Sequence, residues 1–219
     1  QVESMEDEDE ASNPFCPYLL VLSAGYLLLL FVFAGYLCQP RKSNDLNRPE
    51  TGPYVVIFAL IASLVLHYWL SLRISGYPVD INCFLAWSGT MQTYGPTGFY
   101  QGTSFCDYPP AYMLVLWLSR GLITLLRSMC GGVLPGWISE IAIIKLVPCL
   151  CDLGIAWLIY HTARKNGMEE TPSGLIALFL AFNPVMLINS AAWGQVDSAL
   201  AIMLVLVALF AIKGRWDLV

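Results

Sequence analysis

Charge is the scarcest commodity in this sequence. Asp, Glu, Lys and Arg make up 12% of its 219 residues, about half of what a soluble domain carries, which excludes a water-facing surface of ordinary composition. The net charge of −5 says little about partners, because six of the eight residues from Glu3 to Glu10 are carboxylates; no nucleic-acid surface is implied. The seven cysteines lack the paired short spacing of a zinc site. Four of them lie in or at the ends of apolar runs, where cysteine packs as a small hydrophobe. Nothing resembles a dedicated cage for a metal, and neither metal nor cofactor is expected. A cleavable signal sequence is also not expected, because the first apolar run follows an acidic segment and is as long as a full span.

What remains is apolar. Hydrophobic residues make up 57% of the chain and the mean hydropathy is +0.63, so lipid is the expected solvent. The expected fold is all-α: a polytopic transmembrane helical bundle with an extracytoplasmic loop carrying interfacial helices. A spanning helix needs about 20 apolar residues, because only a helix satisfies its own backbone polar groups in lipid. An acidic tail over 1–16 precedes a first span over 17–38. A module over 53–213 then holds spans at 53–72, 137–161 and 173–192, with a shorter run at 198–213. Arg41, Lys42 and Arg48 retain the first connection in the cytoplasm. That puts the acidic tail and a loop over 73–110 outside. Arg164, Lys165, Lys213 and Arg215 agree if the segment 111–129 does not span. It is then expected along the outer surface, with Arg120 and Arg127 reaching headgroups while Leu and Trp dip into the apolar layer.

The chemistry-bearing residues gather in few places. Asp80 follows a membrane exit and precedes an apolar stretch ending at Trp87, a partly desolvated setting suited to general-base work. Its competing role is to cap a helix over 81–88. Asp107, Tyr108, Pro109 and Pro110 close the loop, the prolines stiffening the chain and starting the next helix; Asp107 alone would serve as an N-cap. Lys145 and Asp152 lie seven residues apart in one span, on one face and roughly 10 Å apart along the axis. Ionisable groups inside a span mark a site or a buried pair. Lys145 is a candidate for a lipid phosphate, or else snorkels to the headgroups. Trp193, Gly194, Gln195, Val196 and Asp197 form a polar turn between apolar runs, suited to rimming a sugar site, although Trp anchors interfaces and Asp197 could cap the next helix. Cys83 and Cys106 share the external loop and are a candidate disulfide.

These blocks, in this order, resemble the GT-C membrane glycosyltransferases, most closely the dolichyl-phosphate-glucose glucosyltransferases and bacterial mannosyltransferase-like membrane proteins. The matching features are an acid after the opening span with Trp seven positions on (Asp80, Trp87) and a Tyr-Pro-Pro block (Asp107 to Pro110). Lys145 and Asp152 in the next span, with a Gln-containing aromatic turn (Trp193 to Asp197), complete the set. The resemblance covers 53–212. It implies transfer of a hexose from a polyprenyl-phosphate carrier to a glycan, lipid or protein hydroxyl, with inversion, on the extracytoplasmic face of a bacterial plasma membrane or the endoplasmic reticulum. The implied base is Asp80. Asp107, Tyr108, Lys145, Trp193, Gln195 and Asp197 are implied in substrate binding, with Trp87, Pro109, Pro110 and Asp152 structural. Family members carry more spans, so the chain matches their N-terminal part, which an isolated inactive fragment would also do. A two-carboxylate glycosidase is disfavoured because a lipid-phosphate leaving group needs a general acid less than a sugar alkoxide does. Two other readings stay open: a transporter or flippase for a polyprenyl-linked substrate, with Lys145 and Asp152 along its path, and a noncatalytic membrane scaffold.

Overall fold

A computed structural model describes residues 16–37 and 52–218. The acidic tail before Cys16 and the basic connection with Arg41, Lys42 and Arg48 lie outside the described residues. The described residues are helical, with no strand among them: α1 (Cys16–Leu37), α2 (Gly52–Arg73), α3 (Pro78–Gly102), α4 (Pro110–Met129), α5 (Glu140–Lys165), α6 (Glu170–Ala181), the single turn α7 (Pro184–Met186), a π-helical segment (Leu187–Trp193), α8 (Asp197–Ile212) and a closing 3-10 turn (Trp216–Leu218). Among the described residues three helical stretches are long and apolar enough to cross a membrane, Pro53–Arg73, Glu140–Lys165 and Glu170–Trp193, and Asp197–Ile212 is a shorter apolar helix.

Helix α5 is the hub. Ser139 caps it, accepting from the Ala142 amide at 2.9 Å, Glu140 stands in its first turn and Arg164 and Lys165 in its last, each sign opposing the end of the helix dipole it faces. It packs against α2, α4, α6, α8 and the π-helical segment. Its apolar window is 56% buried against 28% for Pro53–Arg73, so α5 lies inside the bundle and α2 at its edge. A methyl on Gly154 would meet Ile202 Cδ1 at 2.8 Å, so glycine there lets α5 and α8 approach closely. The outward faces stay apolar: Tyr54, Phe58 and Val65 on α2 and Leu200, Met203 and Leu204 on α8 are exposed, as suits a lipid solvent.

The segment 73–110, expected as a loop, is largely helix α3. Pro78 opens it at a position where no amide donor is needed, and Ile81, Phe84, Trp87, Ser88 and Met91 recur on one buried face. Gly95, at φ 69° and ψ 175°, breaks the helical path ahead of Pro96. Helix α4 folds back on α3 along Tyr112, Leu116, Ser119 and Ile123, at helical spacing. Leu114, Leu118, Leu122 and Leu125 on α4 remain exposed. The arginines expected at headgroups also pair with protein. Arg120 Nη1 donates to Glu140 Oε2 at 2.8 Å and Arg127 pairs with the other oxygen of the same carboxylate, tying α4 to the start of α5.

The expected single helix over 173–192 is interrupted. α6 ends at Ala181, and Asn183 accepts from the Val185 amide at 2.9 Å to restart the chain at Pro184. The Tyr112 hydroxyl is buried with no hydrogen-bond partner among the described residues. An unsatisfied buried hydroxyl costs about 1–3 kcal/mol, so Tyr112→Phe is expected to raise stability by about 1 kcal/mol, read from denaturation in detergent; a loss would reveal a partner for that oxygen.

Candidate active site

Asp80, Tyr108, Trp193 and Gln195 come from three separate parts of the chain and meet at one end of the bundle. Asp80 lies in the first turn of α3, whose N-cap is Tyr77 with no side-chain bond, so it does not serve as the helix cap. Its half-buried carboxylate turns to the polar turn after the π-helical segment. Gln195 Nε2 donates to Asp80 Oδ2, and Trp193 Nε1 approaches the same oxygen at 3.4 Å. Among the described residues no donor is bonded to Oδ1. The Gln195 amide orientation is set from both sides, because its Oε1 accepts from the Tyr108 hydroxyl at 3.2 Å. Tyr108, Gln195 and Asp80 thus form a directed chain of donors ending on the carboxylate.

Tyr108 is held by aromatic rings, with centroids at 5.2 Å to Phe84, 5.6 Å to Trp87 and 6.1 Å to Tyr112. Trp87, buried, donates from Nε1 to Phe105 O at 2.9 Å, pinning the chain just ahead of Tyr108. Burial first, then the charges of Asp80, Asp197 and Asp107, hold the Tyr108 phenol above the usual tyrosine range, so it remains a donor. All three carboxylates therefore act on one phenol, although only Asp80 touches the Gln195 amide. Asp107 is exposed at the foot of the Pro109–Pro110 step. Asp197 is exposed in the first turn of α8 and accepts from Asn189 Nδ2 at 3.4 Å.

Backbone geometry places the turn. Asn189 O accepts from the amides of both Gly194, at 3.0 Å, and Gln195, at 2.9 Å. Trp193 O accepts from the Tyr77 amide at 3.0 Å, and the Tyr77 and Trp193 rings lie 5.7 Å apart. Two glycines permit this approach: Gly76 at φ 98° and Gly194 at φ 93°, in the left-handed region other residues avoid. A methyl on Gly76 would collide with Trp193 O, a backbone atom that cannot swing aside. Gly76→Ala is expected to cost about 1–3 kcal/mol and to draw Asp80 away from Gln195; unchanged thermal unfolding would mean that the two segments are not pressed together.

Lys145 and Asp152 do not join this pocket. Lys145 is fully buried, and its three ammonium protons go to Ile74 O at 2.8 Å, Ala191 O at 3.0 Å and Ala192 O at 3.0 Å. An ammonium has three donors, so none remains for a carrier phosphate, and the side chain does not snorkel. Asp152, also fully buried, accepts from Ser198 Oγ through Oδ1 and faces His67 Nε2 across 3.3 Å through Oδ2. Ser190 Oγ lies 2.8 Å from Ser198 Oγ, and His67 Nδ1 is 2.8 Å from Ser63 O. The sequence marked Asp152 but not its partners: a histidine 85 residues earlier carries no local signature of the pairing. Cys83 and Cys106 are both free thiols; Cys106 Sγ faces Tyr108 O at 3.7 Å and Met113 Sδ at 3.8 Å, so the candidate disulfide is not formed. No family model, curated protein or solved structure matches this chain.

Proposed function

We propose that this chain is a membrane glycosyltransferase module of the GT-C type, moving a hexose from a polyprenyl-phosphate carrier to an acceptor hydroxyl on the extracytoplasmic face, with Asp80 as general base. The observation that carries this reading is the asymmetry of the Asp80 carboxylate. One oxygen is held by Gln195 and Trp193, which fixes the group's direction and leaves the other oxygen for a hydroxyl proton, the geometry a positioned base requires. In the step, Oδ1 takes the acceptor proton as the acceptor oxygen bonds to the anomeric carbon. The bond from that carbon to the phosphate oxygen breaks on the opposite side, which inverts the centre and releases polyprenyl phosphate. Tyr108 and Asp107 line the acceptor side; Trp193 and Asp197 line the sugar side, the indole offering a flat apolar face. Lys145 and Asp152, which suggested a transport path, are both engaged by protein groups, and this favours the enzyme.

The test is reconstitution of the full protein in proteoliposomes with a polyprenyl-phosphate hexose labelled in the sugar and a panel of glycan, lipid and protein acceptors. Transfer of label with inverted anomeric configuration is expected. Movement of the labelled carrier across the bilayer without transfer would replace the enzyme by a transporter, and neither activity would leave a scaffold.

A further inference from the structure

We propose that the Lys145 ammonium is the positioning group of the Asp80 site, gathering the ends of two helices so that Asp80 and Gln195 meet. This inference rests on Asp80 being the base. The last carbonyls of a helix lack intrahelical donors and carry the negative end of its dipole. Ile74 O is such a group: the Ile74 amide still bonds to Leu70 O at 2.9 Å, one residue past the end of α2. Ala192 O is the same kind of group at the end of the π-helical segment, and Ala191 O beside it also accepts from Ser71 Oγ of α2 at 3.3 Å. A single buried ammonium from α5 donates to both helix ends.

From these anchor points both arms of the site depart. One arm runs from Ile74 through Gly76 into the first turn of α3, reaching Asp80 six residues later. The other runs from Ala192 to Gln195, three residues on. Between them Tyr77 N donates to Trp193 O, and the Lys145 stem itself packs under the turn: a methyl on Gly194 would meet Lys145 Cε at 2.9 Å. Without the ammonium, carbonyls of like partial charge face one another in a dry interior, and the two arms separate.

The test compares Lys145 with Lys145→Met in the full protein, using two readouts. In the transfer assay Lys145→Met is expected to lower kcat by about 10²-fold, the cost of a small misplacement of reacting groups, with donor KM unchanged. In the second, cysteines replace Tyr77 and Trp193, and a short bis-methanethiosulfonate, which forms a disulfide to each thiol and releases methanesulfinate, links them, with the linked peptides identified by mass spectrometry. Linkage is expected with Lys145 present and lost in Lys145→Met. A raised donor KM with linkage retained would make Lys145 a phosphate contact and overturn the proposal, as would unchanged kcat. If Lys145→Met does not fold, Lys145→Gln keeps two donors and should give intermediate linkage and rate; full linkage and full rate would again overturn it. Absence of transfer in the unmutated protein would sink the glycosyltransferase reading, while the linkage comparison would still report on the clamp.

Discussion

Asp80→Asn is expected to lower hexose transfer by about 10²- to 10⁴-fold, the usual contribution of a positioned general base, with folding intact. The substitution is nearly isosteric, and the asparagine carbonyl oxygen can accept from Gln195 and Trp193 as Asp80 Oδ2 does. Its amide then replaces Oδ1, presenting a donor where the acceptor hydroxyl needs a proton acceptor. Stability and carrier binding should therefore survive while chemistry fails, a loss in kcat rather than KM. Asp107→Asn and Asp197→Asn are the controls: neither touches the Gln195 amide, and each should cost far less. Transfer retained by Asp80→Asn would remove this residue from the mechanism.

Asp152→Ala is expected to destabilise the protein by about 3–5 kcal/mol, the cost of removing one member of a buried polar pair, whereas Asp152→Asn should change stability by less than about 1 kcal/mol. The difference follows from counting protons. His67 Nδ1 faces a carbonyl oxygen, Ser63 O, so it must carry a hydrogen. His67 Nε2 and Asp152 Oδ2 then share a single proton if the pair is neutral overall, as a dry interior demands. Asparagine reproduces that arrangement without any charge: its amide donates to Nε2 and its carbonyl accepts from Ser198. Alanine leaves Nε2 unmatched and the Ser198 hydroxyl with Ser190 Oγ alone. Equal destabilisation by both substitutions, measured by denaturation in detergent, would mean that an amide cannot take the place of the carboxyl group.

The long apolar helices were legible because crossing a membrane imposes a simple rule on length and composition. The expected run at 53–72 became Gly52–Arg73, and the expected surface segment at 111–129 became Pro110–Met129. Helix α3 was legible in part, as a helix over 81–88; its later glycines, prolines and aromatics read as loop chemistry, although Met91 continues the helical repeat of Ile81, Phe84 and Trp87. The candidate pocket was partly legible: Asp80, Tyr108, Trp193 and Gln195 were singled out, and they do converge. The placement of Lys145 was not. Its partners are backbone carbonyls, which every residue possesses, so no side-chain pattern could distinguish a phosphate-binding lysine from one that caps helix ends. Distance along the chain hid the pairing of Arg120 and Arg127, whose shared side-chain acceptor, Glu140, belongs to the next helix.

The wider winding of Leu187–Trp193 also sets a phase. A coil with bonds spanning five residues holds more chain per turn than an α-helix, so the stretch behaves like a spacer of fixed count. Rewinding the same seven residues as an ordinary α-helix would turn everything downstream by roughly 100°. Gln195 would then point away from Asp80 with every side chain of the pocket still encoded. In this chain a change that lets 187–193 rewind at constant length would be as disabling as a change to the carboxylate itself.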